Sequence, residues 1–388
     1  MTDVRWGSIS ALSALLGLRM LGLFMVLPVL ALHVRGMPGA TPLAAGLALG
    51  IYGLTQAAFQ LPFGWLSDRW GRRPVILFGL AVFAAGSLMA AMASTTGWLI
   101  AGRALQGAGA ISAAVIALVG DFTPEYRRTR VMALVGIVIG MAFILAFVVG
   151  PTVSAWIGVP GLFWLAAGFA VAGALLVAPL QVPRPAAAGP RLFFRDVLPL
   201  VAPQALGIFA LHGIMTATFL AAPVLMAESL EIPASQHGWV YLPVMLGSLL
   251  LLAPLILLQE RVSPRPALLL AVLAIAVGQS GLLFTDSSRV FYLGFAIFFG
   301  GFNFVEAQFP ATVASTAGER SRGTALGIYS TAQFLGAFAG GVAGGALAQA
   351  GGPEAVIGGN VAVAVLWLAV ALGARRFTGA RSHASPIK

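Results

Sequence analysis

Long stretches without a charged side chain are the feature that most limits what this chain can fold into. Residues 42–63 and 74–102 contain no Asp, Glu, Lys or Arg, and similar runs recur along the chain. About 20 consecutive apolar residues let a helix cross the hydrocarbon core of a bilayer. Because the runs are continuous rather than alternating, they argue against a membrane β-barrel. The sequence therefore predicts an all-α polytopic membrane protein.

The composition supports the same class. Hydrophobic residues make up 59% of the chain and charged residues only 9%, against about 25% charged in soluble domains. A net charge of +10 would suggest nucleic acid as the partner of a soluble protein. In a membrane protein it is better explained by Lys and Arg in cytoplasmic loops, so we expect a lipid bilayer and no nucleic acid. The N-terminus has no small-residue cleavage site, which predicts a retained first helix.

Charges and Pro/Gly clusters divide the chain into twelve predicted helices. Their approximate ranges are 8–35, 42–67, 73–95, 98–121, 130–157, 160–180, 198–227, 236–259, 266–285, 289–315, 322–350 and 354–376. The longest break is "QVPRPAAAGPRLFFRD", which we interpret as a cytoplasmic linker over 182–197. It separates an N-terminal half, 1–181, from a C-terminal half, 198–388.

The basic residues are distributed unevenly between the two sides. Both termini and the breaks after the even-numbered helices hold 18 of the 22: Arg5, Arg69, Arg72, Arg73, Arg127, Arg128, Arg130, Arg184, Arg191, Arg195, Arg261, Arg265, Arg320, Arg322, Arg375, Arg376, Arg381 and Lys388. The opposite breaks hold only Arg35 and Arg289. This asymmetry predicts that both termini are cytoplasmic.

The two halves resemble each other in sequence. "DRWGRRP" at 68–74 aligns with "ERVSPRP" at 260–266, and "RTRVMAL" at 128–134 with "RSRGTAL" at 320–326, both at an offset of 192 residues. Two pseudo-symmetric six-helix halves in the same orientation are typical of transporters with a site between the halves.

Two motifs resemble those of a known family. "GWLSDRWGRRP" contributes Gly64, Asp68, Arg69, Gly71, Arg72 and Arg73, and "RALQGAGA" contributes Arg103, Gln106 and Gly107. Both resemble signatures of the major facilitator superfamily, in its YajR-type branch of drug–proton antiporters. The resemblance implies proton-coupled transport of a small-molecule substrate by a monomer in the bacterial inner membrane. The protein after which this branch is named carries a soluble domain after helix 12, which we expect to be absent from this chain.

The resemblance also implies a contact between the halves, at the cytoplasmic end. Asp68 is expected to face the start of helix 11, near Gly323 and Thr324, in the outward-open state. Arg72 is expected to pair with Asp121. The alternative is that these charges only set the topology.

Charged residues inside the spans are costly there and therefore informative. Three fall there: Arg19 in helix 1, Arg103 in helix 4 and Glu306 in helix 10. The family lines its cavity with helices 1, 4, 7 and 10, so the resemblance implies that all three border the cavity. Gln106 shares the face of Arg103, and Asn303 shares that of Glu306.

The depth of these charges suggests how they interact. At about 1.5 Å per residue, Arg19 and Glu306 lie roughly 16 and 13 Å from the cytoplasmic ends of their helices, so we expect them to pair. Two arginines and one acid sum to +1, which predicts that neutral, zwitterionic or anionic amphipaths are handled better than permanently cationic compounds. Glu306 is the natural proton carrier. His212 is a second candidate, although a lone histidine on an apolar helix is more often structural.

Small residues in the spans point to close helix packing. Helix 11 places Gly336, Gly340 and Gly344 at four-residue spacing, and helix 5 retains Gly150 and Pro151 of a degenerate antiporter motif. Together with Gly107, we expect these glycines to pack inside the bundle. Dimerisation through helix 11 is the alternative.

The sequence argues against an enzyme. Its one lysine is Lys388, so it contains no GxxxxGK[ST] phosphate loop, and its four histidines have no metal-ligand spacing. We therefore expect no cofactor and no metal. The leading hypothesis is proton-driven export of small amphipathic or apolar molecules. A substrate-specific symporter or uniporter, and a non-transporting sensor or scaffold, remain the alternatives.

Overall fold

The structure, a computed structural model, describes residues 5–182 and 194–373. Most of the predicted linker lies outside these ranges, as do Arg184, Arg191 and the basic residues from Arg375 to Lys388. In the described part, the chain is almost entirely helical.

The first four helices cross the bundle one after another. They are α1 (Trp6–Arg35), α2 (Pro42–Trp70), α3 (Arg72–Ala91) and α4 (Thr96–Asp121). Two of them are interrupted: α1 consists of Trp6–Phe24 and Leu27–Arg35, and α4 of Thr96–Ala108 and Ser112–Asp121. The interruption in α4 leaves helix-end carbonyl groups in the middle of the bundle, and these need hydrogen-bond donors.

One continuous helical stretch contains two crossings. Arg128–Val177 spans 50 residues, or about 75 Å at 1.5 Å per residue, whereas the hydrocarbon core is about 30 Å thick. Gly158 breaks the helix with φ 71°, a left-handed value that glycine adopts without steric cost. The chain therefore turns back there, which separates α5 (128–157) from α6 (159–177).

The second half follows the same plan. It contains α7 (Phe194–Glu228), α8 (His237–Arg261), α9 (Pro264–Gly281) and α10 (Ser288–Ala317). The segment Ser321–Gly373 turns back at Gly352, where φ is 76°, and so gives α11 (321–351) and α12 (353–373). The described residues thus contain twelve crossings in two six-helix halves, which confirms the predicted fold. The largest difference in a helix start is at α7, which begins at Phe194 rather than at 198.

The glycines of α11 bring it against α7. A Cβ on Gly336 would overlap the backbone of Phe209, and one on Gly340 would overlap the backbone of Gly213. Gly344 lies against Ala217. This face of α11 is therefore used inside the C-terminal half.

Two other predicted packing glycines also meet neighbouring backbone. A Cβ on Gly107 would overlap the Tyr52 carbonyl oxygen in α2, and one on Gly150 would overlap the Met25 carbonyl oxygen at the interruption of α1. Pro151, next to Gly150, is buried. Close backbone approach thus locks α4 to α2 and α5 to α1 in the N-terminal half.

Candidate functional site

A group of polar side chains from three helices surrounds Glu306. Gln333 of α11 donates a hydrogen bond to the Glu306 carboxylate at 2.9 Å, and its amide nitrogen also lies 2.9 Å from His212 Nε2 of α7. The second carboxylate oxygen of Glu306 is 3.9 Å from His212 Nε2. Glu306 lies about 17 Å from the end of α10 at Ala317. The group is therefore near the middle of the membrane.

Glu306 has unused binding capacity. Its side chain is 37% exposed, and its Oε2 atom has no hydrogen-bond partner in the described part of the chain. The hydroxyl group of Tyr329, which interacts electrostatically with Glu306, also lacks a partner there. Because Tyr329 and Gln333 are four residues apart, they share one face of α11. Glu306 is thus a partly exposed side chain among three helices of the C-terminal half at this depth, although its Oε2 atom is buried.

An aromatic cluster lies beside this polar group. The rings of His212 and Phe302 are 5.8 Å apart, and Phe302 stacks on Phe143 of α5 at 5.9 Å. Further along, Phe147 of α5 stacks on Phe219 of α7 at 4.5 Å. Since α5 belongs to the other half, these rings connect the two halves and form an apolar wall next to Glu306.

Arg19 is not part of this site. Its guanidinium donates hydrogen bonds to Ser112 Oγ (2.8 Å), Tyr52 OH (3.0 Å), Gln56 Oε1 (3.0 Å) and the carbonyl oxygen of Gly109 (3.1 Å). Gly109 ends the first part of α4, so a buried cation lies at the negative end of a helix dipole. The expected pair between Arg19 and Glu306 is therefore wrong, because Arg19 is held by the interruption of α4.

Arg103 is also inside the N-terminal half. It donates to the Ala48 carbonyl oxygen of α2 at 3.2 Å and to Gln106 Oε1, and its guanidinium lies 5.1 Å from the centre of the Tyr52 ring. Gln106 in turn donates to Ser87 Oγ of α3 at 2.8 Å.

Burial of the two arginines changes the charge of the proposed cavity. Arg19 and Arg103 are each 1% exposed, whereas a side chain that lines an open cavity would meet solvent. The expectation that they border the cavity is wrong, and so is the sum of +1. Of the three charges inside the spans, only Glu306 is partly exposed, at 37% of its side chain.

Asn303 does not contact Glu306 either. Its amide donates to Ser248 Oγ of α8 at 3.0 Å, and this bond holds α10 against α8. The shared helix face that the sequence predicts therefore does not bring Asn303 into the group around Glu306.

One end of the bundle is closed by direct backbone contact between the halves. A Cβ on Gly46 of α2 would overlap the carbonyl oxygen of Gly341 in α11, and Gly345 lies against Leu43. A Cβ on Gly238 of α8 would likewise overlap the backbone of α5. At the same end, Arg35 of α1 forms an ion pair with Glu228 of α7.

Contacts between the halves continue toward the middle of the membrane. Ser330 of α11 donates a hydrogen bond to Gln60 of α2 at 3.2 Å. Leu61 of α2 lies beside Gly327 of α11, 3.5 Å from where a Cβ would stand. The closed region thus covers α2 from Gly46 to Leu61 and the facing part of α11 from Gly327 to Gly345.

The motif of charged residues lies at the opposite end, between α2, α3 and α4. Arg72 Nη1 donates to Asp68 Oδ1 at 2.5 Å and to Ser67 Oγ at 2.9 Å, while its Nε is 3.2 Å from Asp121 Oδ2. Gly71 turns the chain with φ 98°, which a side chain would disfavour. These bonds tie three helices of one half together.

The remaining residues of the motif are less constrained. Arg69 lies over the Trp65 ring at 5.4 Å, and Arg73 is exposed. A Cβ on Gly64 would stand 3.9 Å from Ala113, an ordinary contact. Among the described residues, no atom of another helix lies within 4 Å of a Cβ position on Gly323.

Several residues of these groups were not singled out from the sequence. They are Tyr52, Gln56, Tyr329, Gln333 and the glycines of α2. A usable signal existed, since Tyr52 and Gln56, like Tyr329 and Gln333, are polar pairs at four-residue spacing in apolar helices.

Two six-helix halves around a polar site at membrane depth define a multi-pass membrane transporter. The chain belongs to the Major Facilitator Superfamily, because its sequence matches that family over residues 12–204 and again over 204–386. It is therefore a transporter and not an enzyme.

Named relatives and a solved structure agree with this assignment. The chain is 39% identical to the inner membrane transport protein YajR of Escherichia coli strain K12, over 94% of this chain and 82% of YajR. It is 30% identical to the multidrug resistance protein MdtH of Aeromonas hydrophila, over 84% of each chain. The fold is similar to that of a point mutant of the nucleoside transporter NupG, with a TM-score of 0.75, 12% identity and coverage of 96% and 99%.

Proposed function

We propose that this protein is a proton-driven exporter of small amphipathic molecules, and that a proton and a cationic group of the substrate compete for Glu306. The observation that carries the proposal is the Glu306 carboxylate at mid-membrane beside an aromatic wall: its side chain is 37% exposed, and its buried Oε2 atom has no hydrogen-bond partner among the described residues. The MdtH relative, by its name a multidrug resistance protein, supports export of this class of substrate.

Competition at one carboxylate explains how transport is coupled. A bare carboxylate at membrane depth is costly, so it is neutralised by a proton or by a cation. A protonated amine can bind the Glu306 carboxylate in place of the proton, while Phe302 and Phe143 lie beside it to accept its apolar part and interact favourably with its charge. Because the two ligands exclude each other, the entry of one releases the other.

The structure's closed end supports an assignment of its conformational state. We infer that both termini are cytoplasmic and that the end with Gly46, Gly341 and the Arg35–Glu228 pair faces outward. In that orientation the protein is closed to the outside. The moving bodies are residues 1–181 and 198–388, joined by 182–197.

The charged motif has its role in the opposite state. When the cytoplasmic end closes, we propose that Asp68, held by Arg72, meets the start of α11 at Gly323 and Thr324. A carboxylate is favoured at a helix N-terminus by about 0.3–1 kcal/mol. We further propose that the protein acts as a monomer in the bacterial inner membrane, since the glycine face of α11 is used inside the bundle.

The proposal is tested with the full chain in liposomes that contain a pH-sensitive dye. The probes are a dansyl-labelled alkylamine and its N-acetylated, uncharged counterpart. We expect the amine to drive protons in the opposite direction to its own movement, and the acetylated compound to drive few or none. Proton movement in the same direction as the amine would show symport, and amine transport without proton movement would show a uniporter. If neither probe moves or binds, the proposed substrate class is wrong.

A further inference from the structure

A cavity lies between the halves at the closed end, away from Glu306. Its volume is about 220 Å³; it is partly open, and α1, α2, α7 and the turn between α11 and α12 line it. An apolar cavity of about 150 Å³ is enough to bind benzene. The space is thus large enough for a ring-sized molecule.

The wall of this cavity is apolar. Ala31 and Ala45 from one half face Leu220, Ala221 and Val224 from the other, and all five are less than 5% exposed. Such a space offers few hydrogen bonds to water, which needs two to four polar partners to be held. An apolar occupant is favoured over water.

The polar groups at its rim are already engaged. Arg35 is paired with Glu228, and the Thr41 hydroxyl oxygen accepts the backbone N–H of Ala44 at 3.0 Å. Cation and anion are balanced in that pair, and the Glu354 carboxylate beside Gly352 is exposed to solvent, so a charged ligand gains no buried partner. The site favours an uncharged molecule.

We propose that this cavity, named here the outer cavity, is a binding site for small uncharged aromatic molecules, and that its occupation holds the two halves closed at this end. Its walls come from both halves, so they separate when the halves part. A ligand that binds one arrangement alone shifts the equilibrium toward it, about 100-fold at a concentration 100 times Kd. Binding at the outer cavity does not depend on the proposed transport function, whereas its effect on turnover does.

Binding is tested first, with toluene as the probe and thermal unfolding of the purified full chain as the measurement. We expect a saturable rise in Tm for the native sequence. Ala221→Phe and Ala45→Leu fill the cavity from opposite halves and should abolish the saturable part. Val365→Phe, at a 52% exposed position, is the control and should keep it. An equal response in all four proteins, or none in the native sequence, would overturn the site.

The effect on the two halves is tested with a pair of spin labels. The chain has no cysteine, so Gly36→Cys and Ser229→Cys provide the only thiols, one on each half at the closed end. Toluene should raise the short-distance population and slow transport of the dansyl amine without competing for its site. If toluene binds but leaves the distances unchanged, the claim that it holds the halves closed is wrong. If the distances shift in a chain that moves no amine, the outer cavity stands and the proposed function fails.

Discussion

Gly46→Ala is expected to open the closed end of the bundle. The added methyl group would overlap the Gly341 carbonyl oxygen, with the Cα of Gly345 only 2.9 Å away. All of these are backbone atoms, so no side chain can rotate away to make room. The helices themselves must separate.

The size of the effect follows from the cost of overpacking, about 1–3 kcal/mol. In the proposed cycle α2 and α11 touch here only when the outer end is closed, so the strain acts on that state alone. A shift of this size corresponds to about 5- to 150-fold in the population ratio. Gly168→Ala is the matched control, because no atom lies within 4 Å of its Cβ position.

The assay is the distance between spin labels on Gly36→Cys and Ser229→Cys, measured in liposomes. We expect a larger long-distance population for Gly46→Ala and none of this change for Gly168→Ala. The reasoning is refuted if the two variants give the same distances as the parent protein while both remain folded.

Three further changes test other contacts. Asp68→Asn should preserve folding but reduce amine transport and raise the short-distance label population, which represents the inward-facing state. Unchanged transport and unchanged distances would leave the motif a topological role only. Arg19→Gln should lower the free energy of unfolding by about 1–3 kcal/mol, because its acceptors lose their donors, whereas exposed Arg73→Gln should not; equal Tm values would contradict this. Glu228→Gln should change the free-energy difference between the short- and long-distance label populations by less than about 1 kcal/mol, and this change should disappear at high salt. A larger, salt-independent change would contradict the surface ion pair.

The fold was predictable because a membrane-spanning helix is recognised from the length and the apolar composition of a segment alone. The charge-free runs and Pro/Gly clusters predicted all twelve crossings. These include α5 with α6 and α11 with α12, since Gly158 and Gly352 both stood between predicted helices. Interruptions inside a crossing were not predictable in the same way. Nothing in the hydropathy of "GAI" at 109–111 distinguishes the interruption of α4 from regular helix.

The site was less predictable because hydropathy does not fix the rotation of a helix. Depth along the axis placed Arg19 and Glu306 at compatible levels, but packing sets which way each side chain points. Arg19 faces the carbonyl of Gly109, which needs a donor only because α4 is interrupted. Its partner therefore could not be deduced without knowing that bend. Glu306, by contrast, could be predicted as the proton carrier because it is the one carboxylate well inside a predicted span.

The central claim is that Glu306 couples the proton to the substrate, and Glu306→Gln tests it most directly. In liposomes, with Glu260→Gln at the end of α8 as the matched control, we measure both uphill accumulation of the dansyl amine and its downhill exchange. The account predicts that Glu306→Gln loses proton-driven accumulation while exchange remains measurable, and that Glu260→Gln keeps both. If Glu306→Gln still accumulates the amine against a gradient with the normal pH dependence, the proton is carried elsewhere and the account is wrong.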